Sequence, residues 1–251
     1  MQTKKINIEL VNHFKDSSSF NRDELLNFYF KFDPDLNQKT FSWRIYDLKR
    51  RNIIISIGPG LYKVSNKPSY KPSIDQKIKK INLFLSKKYL EINPVLWNVK
   101  WVNDLSIHQV FKSFYLVEVP NDMAESVFNQ LQTTNLGKVF INPTQDVMHQ
   151  YVTNEREPII VKSLISRAPT QIISKVTVPS LEKILVDLFC DEKIFYMFHG
   201  HELKTIYRNA VNDYAVNFTK LFYYAKRRRR EKEIKEFFSI NFPEMLKDIP
   251  L

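Results

Sequence analysis

The sequence predicts an α+β protein in which an N-terminal winged helix-turn-helix domain is followed by a mixed α/β domain with a central sheet. A capped, basic, amphipathic helix runs directly into a short apolar hairpin closed by Gly58-Pro59-Gly60, and this turn contains two of the four glycines in the chain. Further along, strand and helix signals alternate, as in a sheet covered by helices. We expect the first domain over residues 1–68, a linker over 69–73 and the second domain over 74–251.

The first domain shows signals for three helices and a two-stranded ribbon. Apolar residues at helical spacing mark the first two helices: Ile6, Leu10 and Phe14 in one, and Leu25, Leu26 and Tyr29 in the other. Asn21 or Ser19 can cap the second helix, and Asp33-Pro34-Asp35 is typical of a turn before the third. Residues 53–57 and 61–64 are apolar enough to form the two strands of the ribbon.

The third helix, which Asn37 can cap, has two different faces. Phe41, Ile45 and Leu48 recur at helical spacing and form a core stripe. At about 100° per residue, the opposite face carries Lys39, Trp43, Tyr46 and Arg50. Two cations and two aromatic rings are unusual on a face that only has to remain in water. We therefore predict that this face binds double-stranded DNA in the major groove.

The predicted DNA-binding set contains five further residues: Thr40, Ser42, Arg44, Arg51 and Lys63. Thr40 and Ser42 have short hydroxyl side chains that can reach phosphates or base edges, whereas Arg44 borders the core stripe and is expected to contact the phosphate backbone. Asp47 would repel phosphate unless it pairs with Arg51, and it is not assigned to DNA. The alternative is a winged-helix core that contacts protein, with a basic helix that is merely solvated.

The composition favours a polyanionic partner. The net charge is +11, and Lys and Arg are in excess on both sides of a division after Asp75. A hydrophobic content of 43% is sufficient for a core in each of two domains. No apolar run approaches the length of a membrane span, and the charged N-terminus does not resemble a signal peptide. We expect a cytoplasmic protein without membrane contact.

Pro68 and Pro72, among small polar residues, predict a short and fairly stiff linker. Ser73 can cap the helix that follows, which is expected to continue to about Leu90. Strands are then predicted over residues 111–119, 139–142, 159–165 and 173–178, and helices over 121–131, 179–189, 202–214 and 218–238.

No arrangement of residues predicts an enzyme, a cofactor or a metal site. A metal-dependent nuclease needs carboxylates that converge on a cation, and Glu118 and Lys162 lack the usual Glu-x-Lys spacing on one strand. His199 and His201 have no clear third ligand, and a polar loop is the better interpretation. A nuclease or another nucleic-acid-processing enzyme, targeted by the winged-helix head, is retained as the alternative function.

Five consecutive cations lie near the C-terminus, inside the last predicted helix: Lys226, Arg227, Arg228, Arg229 and Arg230. They favour either a second nucleic-acid contact or a solvated helix in which Arg227 pairs with Glu231 and Arg229 pairs with Glu233.

Two residues at the end of the helix predicted over 179–189, or just after it, are expected to be structural. Asp187 borders an apolar face and is expected to pair or cap a helix. Cys190 is expected to be a buried thiol.

Five segments of the chain resemble a known family. They are residues 42–49 (SWRIYDLK), 53–54 and 60–62 in the first domain, and residues 177–188 (TVPSLEKILVDL) and 224–228 (YAKRR) in the second. On these segments the chain resembles the AbiEi-type antitoxins of type IV toxin-antitoxin systems. Pro59 stands where a basic residue is expected at the tip of the wing, which leaves only backbone contacts there.

The resemblance implies a bacterial repressor that binds the promoter of its own operon. It also implies an antitoxin, active in phage defence, that counteracts a nucleotidyltransferase-like toxin without forming a stable complex with it.

Overall fold

Helices and several small sheets form a mixed α+β fold, which confirms the predicted class. The computed structural model describes residues 2–65, 67–109 and 113–243. Within these ranges, no helix combines the length and the apolar character needed to cross a membrane. The N-terminal part contains α1 (Gln2–Phe14), β1 (Phe20–Asn21), α2 (Arg22–Phe30), α3 (Gln38–Arg50), β2 (Ile54–Gly58) and β3 (Leu61–Val64).

The N-terminal part packs its three helices around a small antiparallel sheet with strand order β1-β3-β2. The predicted cap of α2 is confirmed, because the side chain of Asn21 accepts hydrogen bonds from the backbone N–H groups of Asp23 and Glu24. In return, the carboxylate of Glu24 accepts the N–H of Asn21 at 2.6 Å, which completes a capping box. The two-residue strand β1 was not predicted, since a strand so short leaves no periodic signal.

The hairpin formed by β2 and β3 lies against the C-terminal part of the chain. Gly60 has a φ of +68°, a conformation that glycine adopts without strain, and it closes the predicted turn. On β2, the hydroxyl groups of Ser56 and Thr219 are 2.9 Å apart, and Ile57 belongs to the hydrophobic core of the C-terminal part. One strand of the ribbon is therefore covered, while Pro59 and Gly60 at its tip are exposed.

The segment predicted as a linker is packed rather than extended into solvent. Tyr70 is buried, and its hydroxyl group donates to the carbonyl of Trp101 at 3.0 Å. The N–H of Ala215 donates to the carbonyl of Pro68, also at 3.0 Å. The helix that follows is capped by Asp75 and not by Ser73 as predicted, because the carboxylate of Asp75 accepts the N–H of Ile78.

The C-terminal part is built on a four-stranded sheet with order β4-β5-β7-β6, in which β4 is antiparallel to β5 and the other neighbours are parallel. A separate hairpin is formed by β8 and β9. The strands are β4 (Val95–Asn98), β5 (Tyr115–Val119), β6 (Val139–Ile141), β7 (Ile159–Ser163), β8 (Thr170–Ile173) and β9 (Val176–Pro179). The helices are α4 (Gln76–Lys88), α5 (Ala124–Gln132), α6 (Gln145–Gln150), α7 (Leu181–Cys190), α8 (Glu192–Phe195), α9 (His201–Asp213), α10 (Phe218–Arg227) and α11 (Glu231–Asn241).

Three predicted elements need correction. The strand predicted over 111–119 begins only at Tyr115, and residues 111 and 112 lie outside the described residues. The strand predicted over 173–178 is a hairpin, because residues 174 and 175 both have positive φ values and form a two-residue turn. The helix predicted over 218–238 is two helices, since α10 ends at Arg227 and Arg229 has a φ of +58°.

A lysine without solvent exposure connects the sheet to helix α7. The ammonium group of Lys183 donates to both carboxylate oxygens of Glu118 on β5, at 2.7 and 2.8 Å, and also to Asp187 one turn further along α7. The indole N–H of Trp97 donates to Glu118 at 2.9 Å, and the hydroxyl of Tyr224 on α10 donates to Asp187 at 2.9 Å. Strands β4 and β5 and helices α7 and α10 therefore meet in one buried network around Lys183.

Three further ion pairs extend this network toward the surface. Arg228, just after α10, donates to Asp187 at 3.2 Å and also to Asp191. Asp191 in turn accepts a hydrogen bond from Lys162 on β7. Three carboxylates and three cations thus neutralise one another. The role of Asp187 is correspondingly broader than the predicted capping or pairing of one helix.

We expect Lys183→Met to lower the free energy of unfolding by about 3 to 5 kcal/mol, because removing one partner of a buried ion pair leaves a buried charge uncompensated. Chemical denaturation measures the change. Lys193→Met, at an exposed position, is the control and should stay within about 0.5 kcal/mol of the wild type. Adding Glu118→Gln to Lys183→Met should recover part of the loss, and an undiminished loss in the double variant would contradict the electrostatic explanation.

Candidate nucleic-acid interface

The outward face of α3 is exposed as predicted. Trp43 is 59% exposed and Tyr46 is 61% exposed, which is unusual for rings of this size. Lys39 is exposed beside them, and the side chain of Arg50 is 62% exposed. The core stripe of the same helix is buried: Phe41, Ile45 and Leu48. The helical spacing therefore separated the two faces of α3 correctly.

One flank of α3 is occupied by contacts inside the N-terminal part. The guanidinium group of Arg44 pairs with Asp33 at 2.8 Å and lies over the ring of Tyr29, 5.0 Å from its centroid. Arg44 is half-buried, so it contacts its own domain and is not turned outward toward a phosphate. Thr40 is also half-buried, and its backbone N–H is capped by Asn37.

Asp47 lies on this same flank and is buried. It accepts hydrogen bonds from Arg50 at 2.9 Å and from Arg51 at 2.8 Å, which confirms the expected pairing with Arg51. Burial raises the pKa of Asp47, but the hydrogen bonds and charges of the two arginines outweigh burial, and the pKa is lowered. The carboxylate thus holds Arg50 at the edge of the outward face and neutralises part of its charge.

The opposite flank faces the start of α2. Ser42 accepts a hydrogen bond from Arg22 at 3.0 Å, and the guanidinium group of Arg22 lies 4.8 Å from the ring centroid of Phe41. Lys49 is half-buried on this flank, and its ammonium group lies 5.9 Å from the ring centroid of Tyr62. It was not among the residues predicted to bind DNA. Lys63, on strand β3, is half-buried as well.

The C-terminal basic run is divided among different environments. Arg228 is turned inward, with only 11% of its side chain exposed, and the charges of Asp187 and Asp191 raise its pKa against the effect of burial. Arg227 donates to Ser166, and Arg230 pairs with Glu233 at 3.0 Å.

The ion pairs proposed from the sequence for this run are different in the structure. In the described part of the chain, Arg227 and Arg229 do not pair with Glu231 and Glu233. Glu231 pairs instead with Lys235, at 3.1 Å. Three members of the run are exposed, namely Lys226, Arg227 and Arg229, so the run does not form one continuous cationic surface.

The residues considered for a nuclease are committed to internal ion pairs. Glu118 and Lys162 are direct neighbours across the parallel strands β5 and β7, but Glu118 is neutralised by Lys183 and Lys162 by Asp191. The Nδ1 atom of His199 lies 3.8 Å from the carboxylate of Glu192. Among the described residues, no group of three or more His, Cys, Asp or Glu side chains is placed to hold a metal ion.

Cys190 is half-buried, whereas the sequence predicted a buried thiol. Burial raises its pKa to about 11. The thiol is therefore protonated at neutral pH. Cysteine acts as a nucleophile in its thiolate form, which this raised pKa disfavours.

A protein-family profile matches most of the chain, and the function of that family is unknown. The profile of a family of unknown function, DUF6577, matches residues 40–244, which includes most of α3 and nearly all of the C-terminal part. A search of curated proteins found no match.

We expect Trp43→Ala to leave the free energy of unfolding within about 0.5 kcal/mol of the wild type, because the ring is mostly exposed. Phe41→Ala, two residues away and fully buried, is the matched control and should cost about 3 to 5 kcal/mol. Thermal and chemical denaturation measure both. A large drop in melting temperature for Trp43→Ala would show that the ring supports the core and would contradict the assignment of this face.

Proposed function

The chain belongs to the DUF6577 family of unknown function, and we propose that it is a DNA-binding repressor whose N-terminal part is a winged helix-turn-helix domain. The order of elements supports the proposal. Helices α2 and α3 are joined by a short turn, and α3 is followed by the hairpin of β2 and β3, which β1 extends into a sheet. In winged helix-turn-helix modules, the helix in the position of α3 enters the major groove.

One observation carries the proposal: two large aromatic side chains and two cations share the solvent-facing side of α3. Trp43 and Tyr46 are about 60% exposed, although burying an aromatic ring is strongly favourable, and Lys39 and Arg50 lie beside them. Cations neutralise phosphates, while aromatic rings offer contact area to thymine methyl groups and sugars. A protein partner could also use exposed rings, but the excess positive charge of the chain favours DNA.

The geometry narrows the set of predicted contacts. We assign direct DNA contact to the outward face of α3: Lys39, Trp43, Tyr46 and Arg50. Arg44 is left out because Asp33 and Tyr29 hold its guanidinium group inside the domain. Arg50 and Arg51 both pair with buried Asp47; Arg51, the less exposed of the two, is left out and is assigned to neutralising that carboxylate.

We further propose that the protein is an antitoxin that counteracts a nucleotidyltransferase-like toxin and represses its own operon. Support for this step comes from the resemblance of residues 42–49 and 177–188 to AbiEi-type antitoxins. The resembling stretch 177–188 includes Lys183 and Asp187, which form the centre of the buried network.

We expect the wild-type protein to restore growth to cells that express a nucleotidyltransferase-like toxin encoded next to it. Growth curves measure the rescue, and the cells carrying an empty vector are the control. Affinity purification of the tagged protein from the same cells should recover no toxin, because the resemblance implies action without a stable complex. Persistent toxicity would contradict the antitoxin role and leave DNA binding to be judged separately.

We expect the double variant Lys39→Ala/Arg50→Ala to bind every DNA sequence more weakly. Loss of two phosphate contacts should flatten the dependence of log K on log salt by up to about two units. Fluorescence anisotropy with a duplex from the protein's own promoter and with a scrambled duplex measures both effects. Lys87→Ala/Lys88→Ala removes the same charge from exposed positions on α4 and is the control. An unchanged salt slope in the folded double variant would contradict the proposed face.

A further inference from the structure

A cleft of about 250 Å³ lies where the end of α3 meets the start of α10. One wall is formed by Tyr46, Lys49 and Arg50 of the N-terminal part, and the other by Asn217 and Lys220 of the C-terminal part. The cleft continues directly from the outward face of α3, because Tyr46 and Arg50 belong to both. It is therefore positioned beside the surface that we assign to DNA.

Direct contacts between the two parts bring the walls of the cleft together. Thr219, next to Lys220, has its hydroxyl group 2.9 Å from that of Ser56 on the hairpin. Lys67 donates to the carbonyl of Val211 at 2.6 Å, beside the hydrogen bond from Ala215 to Pro68. Lys220 is thus held at the edge of α3 although it belongs to the C-terminal part.

The cleft places like charges close together. Lys49 is half-buried, and its pKa is lowered first by burial and then by the positive charges of Lys220 and Arg22. In the part of the chain that the structure describes, neither Lys49 nor Lys220 forms an ion pair with a carboxylate. Such crowding is unfavourable unless an anion lies between the cations.

The one acidic side chain in the cleft wall is already engaged. Glu182 accepts the N–H of Asn217 at 2.9 Å with one carboxylate oxygen and the hydroxyl of Ser180 with the other. Its charge serves to hold the start of α10 in place. The cleft wall carries three cations against this one carboxylate: Lys49, Arg50 and Lys220. The ligand that fits the cleft is therefore an anion.

We propose that this cleft binds a backbone phosphate of the DNA that lies on α3, so that Lys220 of the C-terminal part contacts DNA together with Lys49. The inference rests on the proposed DNA-binding function, since the DNA on α3 supplies the phosphate. A phosphate here lies between Lys49 and Lys220, neither of which pairs with a carboxylate among the described residues, and its binding releases counterions from DNA. The contact carries no base information and strengthens binding to all sequences.

The test compares Lys220→Ala with the wild type in DNA binding over a range of salt concentrations, using the full-length chain. We expect Lys220→Ala to bind several-fold more weakly and to reduce the salt slope by about one unit, equally for promoter and scrambled duplexes. Lys232→Ala removes the same charge from an exposed position on α11 and should leave the slope unchanged. Lys220→Arg keeps the cation and should restore the slope. Circular dichroism confirms that each variant is folded.

The outcomes separate this inference from the proposed function. If the wild type binds DNA and Lys220→Ala has the same affinity and slope as Lys232→Ala, the cleft does not contact DNA, while the role of α3 stands. If Lys220→Ala weakens only promoter binding, it has lost a base contact, and the phosphate assignment is overturned. If inorganic phosphate raises the melting temperature in a Lys220-dependent way while the DNA slope stays unchanged, the ligand is free phosphate. Failure of the wild type to bind DNA overturns both proposals.

Discussion

The C-terminal part depends on one buried cation, the ammonium group of Lys183. Removing a lysine charge from water costs several kcal/mol, and only well-placed carboxylates offset that cost. Burial alone would lower the pKa of Lys183, but the charges of Asp187 and Glu118 outweigh burial and raise it above its ordinary value of 10.5. The group is therefore charged at neutral pH, and its stabilising effect is lost only as the pH rises through this raised pKa. Because the two carboxylates lie on β5 and α7, the sheet and the helix have to meet in one arrangement.

The same network fixes helix α10, and α10 in turn positions the junction with the N-terminal part. Near its C-terminal end, α10 is tied to Asp187 by Tyr224 and Arg228. At its N-terminal end, Thr219 meets Ser56 of the hairpin. The buried charge of Lys183 thus helps to determine, through α10, where Lys220 lies relative to α3. Within the five-cation run, the middle member, Arg228, pairs with internal carboxylates and serves the fold.

The sequence correctly predicted features that depend only on residues close together in the chain, such as helix faces and caps. Helical spacing alone separated exposed Trp43 from the core stripe of α3, and Asn21 was recognised as a cap because capping needs only neighbouring backbone groups. The turn at residues 174–175 was missed, since neither residue is the glycine or asparagine that usually signals positive φ. The break at Arg228 was missed because carboxylates distant in the sequence draw this side chain inward. For the same reason, no sequence pattern predicted that Lys220 lies beside α3.

The DNA contact that we propose at the junction would have a thermodynamic consequence. With the cleft empty, repulsion between Lys49 and Lys220 opposes the packing of the hairpin on α10, and hydrogen bonds such as that between Ser56 and Thr219 have to overcome it. A bound phosphate removes this repulsion, so DNA that occupies the cleft stabilises the packed arrangement of the two parts. Linkage is reciprocal: if a partner of the C-terminal part changes the affinity for DNA by a given factor, DNA changes the affinity for that partner by the same factor. If the protein both represses an operon and counteracts a toxin, as we propose, such coupling lets the state of the C-terminal part set the occupancy of the promoter.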